Sequence, residues 1–140
     1  MLRQASTTLS VSAHRQGLHD FTEAVESWVR EQGIGVGLLT IFCRHTSASL
    51  LIQENAASAA RRDLETYFSR IAPEEPALYT HNDEGPDDMP AHLRAALTST
   101  QLSIPIADER MVLGTWQGIY LFEHRRKPSA RQIALHLVGE

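Results

Sequence analysis

Apolar and polar positions along this chain fall into blocks of two different periods. Residues 2–12 alternate loosely and are rich in Thr, Ser and Val, the pattern of an opening strand. From Leu18 the period lengthens. Leu18, Phe21, Val25, Trp28 and Val29 fall at helical spacing, Asp20 and Glu23 make an Asp-x-x-Glu variant of the capping box, and Gly33 is placed to end the helix. Ile34 to Cys43 is an apolar run broken by Gly35, Gly37 and Thr40. It is too short to span a membrane as a helix, which takes ~20 residues, and predicts a buried strand. A polar break at His45-Thr46-Ser47 leads to a short apolar run, Leu50–Gln53.

Asn55 is placed to cap a second helix over about 56–70, with Ala56, Ala60, Leu64, Tyr67, Phe68 and Ile71 as its apolar stripe and Pro73 and Pro76 beyond its end. A polar loop carrying Pro86 follows. Asp88 then caps a third helix, with Pro90 tolerated in its first turn. The last forty residues read as extended: Leu102–Ala107, a turn at Asp108-Glu109-Arg110, a long strand Met111–Glu123, a turn near Lys127-Pro128-Ser129, and Gln132–Val138. Three helices interleaved with five or six strands, several joined by short turns, predict an α+β fold with a largely antiparallel sheet.

Composition narrows the class. At 140 residues, 42% apolar and 21% charged, the chain is expected to form one globular domain, residues 1–140, able to bury a core without disulfides. One cysteine, Cys43, excludes an internal disulfide framework and fits a reducing compartment. The first eight residues lack an apolar signal-type segment, so a cytoplasmic location is expected and no membrane partner. A net charge of −4 argues against a nucleic-acid-binding surface, which needs a basic face.

Two motifs carry less than they promise. Gly33-x-Gly35-x-Gly37 leaves a helix and enters a strand, the reverse of the order that puts a phosphate at a helix N-terminus. The basic segment from His124 to Arg131 could hold an anion or RNA, but it reads rather as a solvated turn that protects a strand edge.

Three other segments hold candidate chemistry. His45-Thr46-Ser47-Ala48-Ser49 sits at a strand end, where the imidazole suits a ligand or proton carrier and the hydroxyls of Thr46 and Ser47 suit an anion; the same residues can instead satisfy turn backbone. From Tyr79 to His92, two histidines and four carboxylates crowd together, with His92 four residues after Asp88. Imidazole with carboxylate suits zinc or manganese, although the spacing matches neither a zinc finger nor His-Glu-x-x-His, and a solvated acidic loop is the alternative. Gly114-Thr115-Trp116-Gln117-Gly118 falls within the long predicted strand, where period two puts Thr115 and Gln117 on one face, open to a ligand, unless the glycines mark a bulge. Cys43 shares a strand face with His45 but reads as an inert core thiol. His14, His19, His124 and His136 read as surface or packing residues.

The order of these segments resembles the YjbQ family, also called the secondary thiamine-phosphate synthase family. The resemblance runs through Gly37-Leu38-Leu39, His45-Thr46-Ser47-Ala48-Ser49-Leu50, Glu54-Asn55, Tyr79-x-His81, Glu84-Gly85, Asp87-Asp88-Met89-Pro90-x-His92 and Val112-Leu113-Gly114-Thr115-Trp116-Gln117-Gly118-Ile119. It implies a small α+β subunit forming a homotrimer, with sites near subunit contacts. It implies histidines of a metal or anion site at His45, His81 and His92, with Asp88 nearby, the expected metal being a divalent ion (zinc, magnesium or manganese). It also implies an activity that joins an aminopyrimidine methyl diphosphate to a thiazole phosphate and releases pyrophosphate. In that chemistry His45 and Asp88 are the expected catalytic groups, and Thr46, Ser47, Thr115 and Gln117 the expected contacts to a phosphorylated small molecule.

Two further readings stand beside the enzyme: a non-catalytic metal- or anion-binding homotrimer, and an interaction module whose polar loop is merely solvated. The last requires His45, His81 and His92 to lie far apart. Charge distribution bears on the choice, because residues 73–90 hold six carboxylates and no Lys or Arg, a local −6 against +2 for the rest of the chain. Clustered acidity of this kind suits a cation site.

Overall fold

A computed structural model describes residues 1–140 as eight strands and three helices, an α+β fold. In chain order these are β1 (Arg3–Ser12), β2 (Gly17–Asp20), α1 (Thr22–Glu31), β3 (Val36–Cys43), β4 (Ala48–Glu54), α2 (Ser58–Ile71), α3 (Asp88–Leu97), β5 (Gln101–Ala107), β6 (Arg110–Met111), β7 (Gln117–Glu123) and β8 (Ala130–Gly139). A single 3-10 turn, Pro76–Leu78, interrupts the loop before α3. No helix is long and apolar enough to cross a membrane.

Two antiparallel sheets form, in the orders β1-β8-β3-β5-β6 and β2-β7-β4. Alternation decides what lies between them. Leu39, Ile41 and Cys43 of β3, Ile104 and Ile106 of β5, and Ile133, Leu135 and Leu137 of β8 face inward and meet Leu50, Ile119 and Leu121 of the second sheet and Val25 and Val29 of α1. The opposite face of β7 is also covered: Tyr120 and Phe122 pack with Leu18 against Leu64 and Phe68 of α2. Each such buried Leu, Ile or Phe contributes about 1.5–3 kcal/mol over leaving it exposed.

Several boundaries differ from the sequence expectation, each for a local reason. Leu18 opens no helix; it pairs with Phe122 in β2, and α1 begins at Thr22, whose N–H and hydroxyl both donate to Asp20 Oδ1. Asn55 does not cap α2. The Glu54 carboxylate accepts the N–H groups of Ala56 and Ala57 at that end instead. The run at 34–43 is buried on one face only, leaving Val36, Leu38 and Phe42 exposed. Gly33, at φ +61°, terminates α1 as expected.

The expected long strand 111–123 is two strands in different sheets. Gln117 folds the chain between them: its N–H donates to the Gly114 carbonyl at 3.0 Å and its Oε1 accepts the Gly114 N–H at 2.7 Å. Thr115 and Trp116 therefore sit in a turn, and Trp116 is exposed.

Candidate functional site

The acidic loop is shaped before any ligand is considered. Tyr79 donates its hydroxyl to the Pro73 carbonyl at 2.7 Å, and Asn82 Nδ2 donates to the carbonyls of Tyr79 and Pro76. Gly85 turns the chain at φ +102°, a conformation other residues adopt only with strain. Asp88 is then the first residue of α3, preceded by Asp87 at the N-cap. One helical turn later His92 returns to the same face.

These constraints bring His81, Glu84, Asp88 and His92 together, with one candidate ligand atom from each lying within 4.8 Å of all the others. Both histidine Nε2 atoms lie 3.1 Å from the same oxygen, Asp88 Oδ2. Asp88 is 1% exposed, whereas His81 and Glu84 are open to solvent. His92 Nδ1 is fixed by donating to the Thr46 carbonyl at 3.0 Å.

That last contact sets the electrostatics. A carbonyl only accepts, so Nδ1 carries the ring proton and Nε2 of the neutral imidazole presents a lone pair to a carboxylate. The approach is attractive only with a proton or a metal cation between the two atoms. An Nδ1–H held by a backbone carbonyl is also the usual support of an Nε2-ligating histidine. The donor set, two imidazoles and one or two carboxylates, therefore fits a divalent ion such as zinc or manganese.

Arg125 completes the arrangement from the turn after β7. Its Nη1 donates to Asp88 Oδ1 at 2.6 Å, its Nε to Asp87 Oδ2 at 3.1 Å, and its Nη2 to the Glu84 carbonyl at 2.9 Å. Burial works to raise the carboxyl pKa of Asp88, but His92, a hydrogen bond with Glu84, Arg125 and His81 outweigh it and hold the group below the ordinary range. Asp87 is likewise held low: burial is overcome by the Arg126 N–H and by Arg125. The basic segment 124–131 is therefore not an open anion site: Arg126, Lys127, Ser129 and Ala130 stay exposed in the turn, while its other arginines are engaged by the protein. Arg125 and Arg126 pair with Asp87, Asp88 and Glu74, and Arg131 pairs with the buried Glu123.

His45 does not join the cluster. Its Nε2 accepts the Gln132 N–H at 2.8 Å, and its Nδ1 faces Arg131 Nη1 at 3.4 Å, so neither nitrogen is free for a metal. Burial and then the Arg131 charge lower its pKa. Ser47 is occupied too, its Oγ accepting from Arg131 Nη2 at 3.0 Å. Arg44, His45, Thr46, Ser47 and Thr100 do line a shallow groove of about 510 Å3, next to the Thr46 carbonyl that holds His92.

Thr115 and Gln117 lie elsewhere. In the β4–β7 register Gln117 opposes Glu54 and Glu123 opposes Ala48, which separates Gln117 from the histidine end by the length of β7, roughly 20 Å. Cys43 is buried, and burial raises its thiol pKa. His19 and His136 make surface hydrogen bonds, and His124 is buried against Ser49. Local pattern assigns no individual role to Arg125 or Glu84, although six carboxylates in a segment without a cation require cations from elsewhere, and 124–131 is the richest source.

Comparison with known proteins agrees with the fold over nearly the full length. A UPF0047 protein of Synechocystis is 46% identical over 138 residues, covering 99% of this chain and 94% of that one. The UPF0047 protein YjbQ of Escherichia coli O157:H7 is 39% identical, covering 95% and 96%. Among solved structures, a YbjQ-like protein of unknown function from Sulfolobus solfataricus P2 superposes with a TM-score of 0.90 at 28% identity, covering 100% of both chains. A hypothetical protein from Aeropyrum pernix K1 gives 0.83 at 29% identity, covering 99% of each. With the sequence model described as UPF0047 protein YjbQ-like matching residues 7–140, the chain belongs to the YjbQ family.

Proposed function

We propose that His81, Asp88 and His92, with Glu84 at the rim, hold a divalent cation, and that the protein is a metal-assisted enzyme acting on phosphorylated small molecules. One observation carries this reading: His92 donates its Nδ1–H to the Thr46 carbonyl and turns Nε2 toward the carboxylate oxygen that His81 also faces. A bound divalent ion supplies charge neutralisation for a phosphate or diphosphate group. The chain's own residues supply the rest. Arg125 fixes the Asp88 carboxylate and offsets its charge, so that the helix start stays ordered. The Thr46 hydroxyl and Arg44 border the adjacent groove, where phosphate oxygens would meet a donor and a positive charge.

The specific reaction proposed is the one the resemblance implies: union of an aminopyrimidine methyl diphosphate with a thiazole phosphate, releasing pyrophosphate. Its two anionic reactants suit a site that pairs a cation with a basic groove. The subunit is proposed to act as a homotrimer. The outer face of β1, β8, β3 and β5 supports this, because its outward positions carry no Asp, Glu, Lys or Arg while Val36, Leu38 and Phe42 lie exposed on it. Thr115 and Gln117, at the far end of β7, would then contact substrate only across a subunit boundary.

Elemental analysis after purification without chelators, followed by assay of thiamine-phosphate formation with and without divalent ions, tests the proposal. Bound metal, metal-dependent turnover and loss of both in His92→Ala support it. Metal without turnover on any phosphorylated substrate reassigns the protein as a binding trimer. Absence of metal uptake removes the cation site.

A further inference from the structure

Arg94 lies two residues beyond His92 and projects from the opposite side of α3. It is 5% exposed, yet its one hydrogen bond to the protein runs from Nη2 to the Ala72 carbonyl at 2.9 Å, and its Nε–H is buried with no partner. The acids whose charge reaches it, Glu74 and Asp87, are already paired with Arg126 and Arg125. An interior guanidinium left with a single neutral acceptor is costly, and proteins ordinarily pair such a charge.

Arg94 also lines a cavity of about 160 Å3, walled by Arg15, Gln16, Gly17, Glu65, Ser69 and Phe122. Just behind Phe122, whose ring centroid lies 4.4 Å from that of His124, the His124 Nδ1 is a second buried polar atom without a partner. Arg15 stands at the entrance, its side chain 56% exposed, and is bound to Glu65 Oε2 at 3.0 Å. Glu65 is occupied on that oxygen by Arg15 and by the Leu18 N–H at 2.8 Å, leaving the lining with two guanidiniums against one carboxylate.

We infer that this cavity is a second binding site, separate from the histidine cluster, that takes one small oxyanion on Arg94, with Arg15 closing its entrance. The volume suits a single phosphate or carboxylate group with a few waters, each water taking about 30 Å3, and is well short of the roughly 300 Å3 at which sites for larger ligands begin. Phosphate and carboxylate present the same chemistry to a guanidinium, two oxygens that accept parallel N–H bonds.

The test is isothermal titration of inorganic phosphate and, separately, acetate into the full-length His92→Ala protein, in which the first site is disabled. Saturable binding of either anion is expected, and the arm that binds identifies the class. Arg94→Met should weaken it by about tenfold or more, the loss expected for one charged hydrogen-bonding partner. Glu65→Gln, which keeps an acceptor for Leu18 but removes the opposing charge, should tighten it several-fold. No saturable binding of either anion, or equal affinity in Arg94→Met, overturns the assignment. If Arg94→Met does not fold, Glu65→Gln decides: affinity that is unchanged or weaker overturns it.

Discussion

Arg125 and Asp88, 37 residues apart, meet through a 2.6 Å hydrogen bond from Nη1 to Oδ1, which leaves Oδ2 alone to face the two histidines. One carboxylate is thus divided between a permanent cation and the candidate metal position. Removing the arginine should strand Asp88, which is nearly fully buried. Arg125→Met is expected to lose about 2–3 kcal/mol in urea unfolding, less than the roughly 3–5 kcal/mol of a fully buried pair because Arg125 itself is 28% exposed. Divalent-ion affinity should fall about 10–100-fold, as when a ligand loses its supporting partner. A variant as stable as wild type, with unchanged metal titration, would show that the clamp is incidental.

How this pair escaped the linear pattern is instructive. The spacing of Asp88 and His92 placed them on one helix face because helical period is local and Pro90 and Asp88 mark the helix start. Arg125 reaches them only because β7 carries the chain back beside α3, a consequence of sheet order that no local period encodes. The same limit explains β2, where Leu18 obeys helical spacing yet pairs with Phe122. It also explains His45, whose place at a strand end was readable but whose two nitrogens are engaged by residues 131 and 132 of a strand far along the chain. Helices, the Asp108-Glu109 turn and most strands were legible. The break at Gly114–Gln117 was not, since its cause is a side chain bonding its own backbone turn.

Glu123 and Arg131 form a buried ion pair, the carboxylate 0% and the guanidinium 7% exposed, with Nε and Nη2 of the arginine on both carboxylate oxygens. Arg131→Met would leave an uncompensated interior carboxylate, and the expected cost is about 3–5 kcal/mol. Adding Glu123→Gln removes that charge and should restore about half of the loss or more. A double-mutant cycle by denaturant unfolding reads this directly, and two additive losses would contradict the pairing.

His124 links stability to pH. Burial first, then Arg94 and Arg131, depress its pKa to about 3, against 6.5 for the free side chain. Between those values the unfolded chain binds the proton and the folded protein does not, so stability rises with pH. Its full contribution is present above pH 6.5 and is lost as pH falls toward about 3, with a slope near 1.4 kcal/mol per pH unit. His124→Gln, neutral throughout, should show a shallower fall in unfolding free energy between pH 6.5 and 5 than wild type. Parallel curves would refute the assignment.

The outer face of the larger sheet offers a prediction about assembly. Leu38 is 44% and Phe42 46% exposed on the outward face of β3, on either side of Thr40, and Leu38 is flanked by Pro105 of β5 and Val138 of β8. A charge-free, partly apolar sheet face in a chain that is 21% charged is a poor surface for a monomer in water. Burial against another copy would remove these side chains from solvent, and a lysine there would have to be desolvated without a partner. Leu38→Lys should therefore convert a trimer in sedimentation equilibrium to a 15.6 kDa monomer while leaving the circular dichroism spectrum unchanged, since the position faces away from the core. If wild type and variant both sediment at the monomer mass, this face is not the assembly surface, and the separation of Thr115 and Gln117 from the histidine cluster stands in the functional molecule as well.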